Sequence, residues 1–401
     1  MMLSPSLALL ISILGILILL RMKVHVCFAV FAGGLILTLL VLEWNTIPSL
    51  MWNSLKDYQT VRLLVIIASA MTLSRLMEVK GMLSGLAVTM ESINPKLALH
   101  FIPAIIGLVP MPGGALVSAT AVKDLAGRMG LTAERSAFIN YWFRHLWEFS
   151  IPVYPAIIIT SVLLSVPISF VVIRLLPMTV LTILSGTVIS YAMLKNVQKV
   201  PGKPPGNLTL EFLKASWPIL LLVSLILLRL EAMIAFPLTL VLLILQQRTK
   251  WPELGKVVKY GLDPRILFLV YAVMLYKSTI EISGAAYTIF TDMQSIGLPP
   301  VIILIALPAL MGFAAGLSIA FAGVALPLLV PYFSSVSGIN SAAVLLAYVS
   351  GMTGYLLSPV HLCLILSTEY LQASLAKVYK YISLPVLFIE TVAIIIYLLS
   401  I

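Results

Sequence analysis

The sequence predicts an all-α integral membrane protein of two inverted five-span repeats, each with a re-entrant hairpin and a discontinuous helix. Three observations carry this: a composition that water cannot solvate, a set of rare-residue matches between the two halves of the chain, and a one-sided distribution of basic loop residues. Hydrophobic residues fill 61% of 401 positions and charged residues only 10%, with a mean hydropathy of +1.11. Soluble domains carry about a quarter charged residues, so this chain lacks the polar side chains to cover itself in water. Runs of the roughly 20 apolar residues that a span needs recur along nearly the whole length, leaving no stretch for a soluble domain. The N-terminal run Leu3–Leu20 has neither a basic leader nor a small-residue cleavage site and reads as a first span.

Matches between leucine and isoleucine carry no information in such a chain, so the duplication rests on rarer residues. Leu17-Ile18-Leu19-Leu20-Arg21 returns as Leu225-Ile226-Leu227-Leu228-Arg229. Arg62, Met71, Glu78 and Gly81 return as Arg265, Met274, Glu281 and Gly284. Pro103-Ala104-Ile105-Ile106-Gly107 returns as Pro308-Ala309-Leu310-Met311-Gly312, and Tyr141, Pro152 and Val153 return as Tyr348, Pro359 and Val360. The blocks keep their order and a nearly constant offset, which places a first transmembrane repeat at 1–195, a cytoplasmic linker at 196–208 and a second repeat at 209–401. Lys, Pro and Gly cluster in the linker, where apolar periodicity stops.

Within each half the elements follow in the same order. Two close spans (3–21 and 24–42; 212–229 and 232–246) precede a polar linker and a third span (61–79; 264–282). A Pro/Gly/small-residue stretch follows (97–122; 299–331), then a proline-interrupted helix and a closing span. Helix is the default because backbone polar groups in lipid must be satisfied within their own segment. With the N-terminus extracytoplasmic and each broken stretch re-entrant, Arg21, Lys23, Lys80, Lys96, Lys123, Arg128, Arg135, the linker lysines, Lys256, Lys259, Lys377 and Lys380 fall inside. Few basic residues (Lys56, Arg229, Lys277) fall outside, as the positive-inside rule requires. Five crossings per half, an odd number, invert one half relative to the other. The net charge of +10 is scattered over loops and offers no nucleic-acid surface. The expectation is a multi-pass protein of the cell membrane.

Three stretches hold the candidate chemistry. In Gly107–Thr120, two prolines and three glycines disfavour a regular helix, and irregular backbone at membrane depth is tolerated only against protein or a wet cavity. Pro112, Gly113, Gly114 and Ser118 there offer carbonyls, amides and a hydroxyl to an ion or small anion, although close helix packing also favours small residues. In Asn140–Pro155, Asn140, Arg144 and Glu148 at spacing four are expected on one helix face, with His145 beside them. Charges in a span cost at least a few kcal/mol unless paired or hydrated. Arg144 therefore either neutralises Glu148 or holds an anionic group with its planar fork, leaving Glu148 or His145 as a protonatable site. In Gly351–Glu369, Thr353, Ser358, Pro359 and His361 surround a second break. Cys27 and Cys363 have no paired or metal-like spacing and read as packing.

PMPGGALVSA, the NYWFRHLWE cluster and GYLLSPVHLCLILS together resemble an uncharacterised prokaryotic integral membrane family of the ion transporter superfamily, related to gluconate permeases and C4-dicarboxylate carriers. The resemblance covers essentially the full chain. It implies a homodimer with a scaffold and a moving transport domain, and a cation and substrate site at hairpin tips and helix breaks. Pro112, Gly113, Gly114 and Ser118 would form the first tip, and Ser358, Pro359 and His361 the second break. The Ser-Asn-Thr sodium motif of the dicarboxylate/sodium branch is absent. The expected function is secondary active transport of a small anion of the organic carboxylate class, coupled to protons or sodium, with no other cofactor. The lipid bilayer and the anion are the expected partners. A membrane-embedded enzyme using His145, Glu148, His361 and Cys363 as metal ligands or acid/base groups, or an ion channel, stands as the alternative. No G-x-x-x-x-G-K-[ST] loop is present to bind a nucleotide.

Overall fold

The computed structural model describes residues 3–82, 90–91, 94–108, 114–195, 197, 207–335 and 338–400. Helices α1 (Pro5–Arg21) and α2 (Val26–Val41) form the first two spans, followed by α3 (Ile47–Lys56) and the third span α4 (Tyr58–Val79). The hairpin arms are α5 (Pro95–Ile106) and α6 (Gly114–Arg128). The discontinuous helix consists of α7 (Ala133–Arg144), a 3₁₀ turn at Leu146–Phe149 and α8 (Pro155–Leu163), and α9 (Ile168–Leu194) closes the half. The second half repeats the series with α10 (Leu208–Leu227), α11 (Ala232–Gln246), α12 (Trp251–Gly261) and α13 (Pro264–Ser283). An additional helix α14 (Ala285–Ser295) precedes the hairpin arm α15 (Pro300–Ala315) and a returning arm of short helical pieces over 318–333 that includes a π turn at Phe321–Ala325. Then come α16 (Ser341–Leu356), a break, α17 (Leu362–Tyr370) and α18 (Leu375–Leu398). Among the described residues, four stretches are long and apolar enough to cross a membrane alone, at 58–79, 168–194, 251–283 and 375–398, and shorter apolar helices accompany them.

Local signals set the ends. Asp57 accepts from the amides of Gln59 and Thr60 at the start of α4, and Asp263 from those of Arg265 and Ile266 at the start of α13, each satisfying orphan helix donors. Asn94, Thr132 and Asn340 cap α5, α7 and α16 in the same way. The polar linkers expected between second and third spans are instead the helices α3 and α12. They place apolar residues on one face and expose Trp52 and Trp251, the side chains that settle at membrane–water boundaries.

The halves interlock. The second span of each packs on the third span of the other, α2 on α13 and α11 on α4, and the intervening helices do likewise, α3 on α13 and α12 on α4. Ser12 Oγ lies 3.3 Å from Tyr276 Oη and Thr38 Oγ1 lies 3.0 Å from Thr279 Oγ1. Arg62 pairs with Glu231 at 3.4 Å near one end of α4, and Lys80 with Glu253 at 2.6 Å just beyond the other. The returning arm α6 packs on the second half's α17, and the arm pieces at 318–325 pack on the first half's α8. Inversion is visible at α9: Arg135 Nη1 donates to the carbonyl of Met193 at 3.4 Å near its C-terminal end, and Arg174 Nε, near its N-terminal end, donates to Ser341 Oγ at 3.1 Å. The equivalent helices α7 and α16 therefore begin at opposite ends of α9.

Candidate functional site

The two helix breaks meet inside the protein. In the first half α7 stops at Arg144, the chain runs through the 3₁₀ turn, and α8 starts at Pro155, whose ring suits the first helical position. In the second half α16 stops at Leu356 and α17 starts at Leu362. Glycine sets how closely each break approaches its hairpin. A Cβ at Gly107 would strike the backbone carbonyl of Arg144, and one at Gly312 would strike that of Gly351. Gly107 and Gly312 are repeat equivalents and so are Arg144 and Gly351, so one backbone contact is built twice. Gly316 ends α15 with φ of 62°, left-handed backbone that glycine adopts at little cost.

Two equivalent tyrosines then cross between the halves. Tyr141 Oη donates to the carbonyl of Leu356 at 2.8 Å, and Tyr348 Oη donates to the carbonyl of Glu148 at 2.8 Å. Each satisfies a carbonyl that a broken helix leaves without its own amide.

Around these struts lie Arg144, His145, Glu148 and His361, all between 2% and 5% exposed, a degree of burial that makes their partners decisive. His145 Nδ1 lies 2.6 Å from the Tyr141 carbonyl. Its Nε2 lies 3.8 Å from Glu148 Oε1, which accepts from Tyr355 Oη at 3.2 Å. His361 Nδ1 lies 2.9 Å from Tyr141 Oη and 3.2 Å from the Tyr355 carbonyl, and its ring stacks on Tyr355 with centroids 4.0 Å apart. The Arg144 guanidinium reaches the Cys363 thiol. Asn140 Nδ2 donates to the Ala115 carbonyl at 3.1 Å and to Ser367 Oγ at 2.9 Å, joining the first hairpin arm to α17. Tyr154 Oη donates to the Gly107 carbonyl.

The sequence-derived residues divide accordingly. Arg144, His145, Glu148 and His361 converge, with Asn140 at their edge. The shared helix face expected for Asn140, Arg144 and Glu148 is corrected: α7 ends at Arg144, and Glu148 lies in the 3₁₀ turn that follows. Pro112 and Gly113 lie outside the described residues. Gly114 and Ser118 belong to the regular helix α6, so the irregular backbone expected through Thr120 does not include Gly114–Thr120, and the Ser118 hydroxyl donates back to carbonyls of its own helix. Ser358 Oγ donates to the Phe313 carbonyl at 2.6 Å, holding the second hairpin arm to the break, while Pro359 is exposed. Thr353 turns away to Glu390: Thr353 Oγ1 and Ser350 Oγ donate to the two carboxylate oxygens at 2.8 Å and 2.6 Å. Tyr355 and Glu390 were not singled out, and Cys363, read mainly as packing, lies two positions from His361.

The chain belongs to the family described as protein of unknown function DUF401, whose model matches residues 3–400. No match to a curated protein was found. The structure is similar to that of the YdaH transporter of Alcanivorax borkumensis, described as having an unusual topology, with a TM-score of 0.60 and 14% identity over 90% of this chain and 89% of that chain. At that identity the likeness is one of fold.

Proposed function

We propose that this member of the family is a secondary active transporter of a small anion, of the organic carboxylate class, driven by a proton or sodium gradient. The observation that carries the reading is the meeting of two helix breaks from inverted halves, with buried ionisable side chains gathered where they touch. Paired broken helices at a repeat interface are how secondary transporters build a substrate site without lipid-exposed irregular backbone. In this reading Arg144 holds the anionic group, because its charge is permanent and its planar fork matches a carboxylate. Glu148 or His145 is the coupling group, since each can exchange a proton. The molecule works as a homodimer in the cell membrane with its N-terminus extracytoplasmic, within the ion transporter superfamily.

The test begins with thermal-shift screening of the purified protein against carboxylates, phosphate and sulfate, with and without sodium. Hits are then assayed for uptake into proteoliposomes under an imposed proton or sodium gradient. Stabilisation by a carboxylate, followed by gradient-driven uptake that is lost in Arg144→Ala, is the expected result. Uptake that persists in Arg144→Ala removes this residue from the site, and stabilising anions that are never carried refute transport.

A further inference from the structure

We infer that His145, His361 and Cys363 form a binding site for one soft divalent transition-metal ion of the zinc class, held between the two halves of the molecule. The inference does not depend on the transport reading, because it rests on donor geometry alone.

One donor atom from each of the three side chains lies within 4.8 Å of the others. Around a tetrahedral ion, metal–nitrogen distances of about 2.1 Å and metal–sulfur distances of about 2.3 Å put neighbouring donors roughly 3.5 Å apart. Side-chain rotations moving each donor by about 1 Å complete that geometry.

The hydrogen bonds fix which nitrogens are available. A carbonyl oxygen only accepts, so the Tyr141 carbonyl 2.6 Å from His145 Nδ1 places the proton on Nδ1 and leaves Nε2 as a lone pair. The single Tyr141 hydroxyl proton goes to the Leu356 carbonyl, so Tyr141 Oη accepts from His361 Nδ1, as does the Tyr355 carbonyl. His361 thus also carries its proton on Nδ1 and presents a bare Nε2. A ring N–H fixed on a backbone carbonyl is the support that metal-ligating histidines ordinarily have. His361 Nε2 has no hydrogen-bond partner among the described residues although the residue is 2% exposed. Packing explains why two histidines are buried beside a half-buried cysteine, but a buried lone pair left without a donor is costly and points to a ligand.

Charge and donor type narrow that ligand. Two imidazoles and a thiol select a soft or borderline ion over magnesium or calcium, and the ion itself deprotonates the thiol. Glu148 Oε1, 3.8 Å from His145 Nε2, supplies an oxygen within reach of the fourth position. The thiolate and Glu148 together offset the ion, against which the positive charge of Arg144 works. His145 comes from the first break and His361 and Cys363 from the second, so a bound ion ties the two halves together at their contact.

Full-length protein with Cys27→Ser, in which Cys363 is the sole thiol of a chain with two cysteines, is purified in detergent and titrated with cobalt. One ion per chain, with a thiolate-to-cobalt charge-transfer band displaced by zinc, is expected. Adding Cys363→Ser should abolish the band, and His361→Gln or His145→Gln should each weaken binding at least tenfold. Zinc should also protect Cys363 from maleimide in the folded Cys27→Ser protein, a reading that does not require the further variants to fold. Absence of the band, no protection by zinc, or equal affinity with and without His361 overturns the site.

Discussion

The two helix breaks share a scaffold and differ in chemistry. At the first, the chain reads Arg144, His145 and Glu148; the matching positions of the second are Gly351, Met352 and Tyr355. The contacts that do not depend on side-chain charge are kept in both. A hairpin glycine, Gly107 or Gly312, presses on the backbone of the break, and a tyrosine, Tyr141 or Tyr348, reaches across to a freed carbonyl. Backbone satisfaction is required of every broken helix in lipid, whereas each buried charge costs at least a few kcal/mol unless it is compensated. Geometry is therefore built twice and ionisable chemistry concentrated in one half, with His361 of the other reaching in.

The comparison breaks most visibly at its glycines. Gly107→Val and Gly312→Val should each prevent accumulation of monodisperse protein, since the new side chain meets backbone that cannot rotate away. The milder Gly→Ala changes should each cost at least about 1–3 kcal/mol, read as lowered melting temperatures of the detergent-solubilised protein. A large loss from one alanine and none from the other would show that the two contacts are not equivalent.

The difference in charge is sharpened by Arg144. Arg144→Ala should abolish carboxylate stabilisation in thermal shift while the protein still elutes as a single species, and Arg144→Lys should weaken it roughly tenfold, because lysine keeps charge and loses the fork. If Arg144 only neutralises Glu148, the double change Arg144→Ala, Glu148→Ala restores what the single change lost. If it holds substrate, the double variant stays silent.

Smaller effects are expected at the tyrosine struts. Tyr141→Phe and Tyr348→Phe each leave a buried carbonyl short of a donor, at a cost of about 1–3 kcal/mol. Tyr141→Phe should be the more damaging in thermal melts, because it also removes an acceptor from His361 Nδ1. Least of all, Lys80→Ala should shift the melt by under about 1 kcal/mol, since the Lys80–Glu253 pair lies partly in solvent.

Much of this organisation was legible in sequence because rare residues recur: Arg62, Glu78, Tyr141 and Pro152 and their mates mark the same places in both halves. The breaks were legible only in part. Pro152 and Pro359 signal that a helix cannot continue, but α7 already stops at Arg144, in a stretch with no strong helix breaker, where contact with Gly107 and the tyrosine strut decides the ending. That shift moved Glu148 off the expected face. The amphipathic helices α3 and α12 hid behind their polar residues, too short for periodicity to outweigh a linker composition. The pairing of His145 with His361 and Cys363, and of Asn140 with Ser367, joins positions in different halves. Local spacing carries no trace of such contacts, so the cysteine read as packing.

The exchanged spans bear on how the protein is made. While the ribosome is still translating the second half, α2 and α4 have been inserted without the helices that will cover them, and Ser12 and Thr38 wait for Tyr276 and Thr279. Assembly of the first half cannot finish before the second is synthesised, so nascent chains stalled between the repeats are natural clients for insertion chaperones and membrane proteases. By the same logic, the two halves produced as separate polypeptides should survive in the cell together and be degraded when expressed singly.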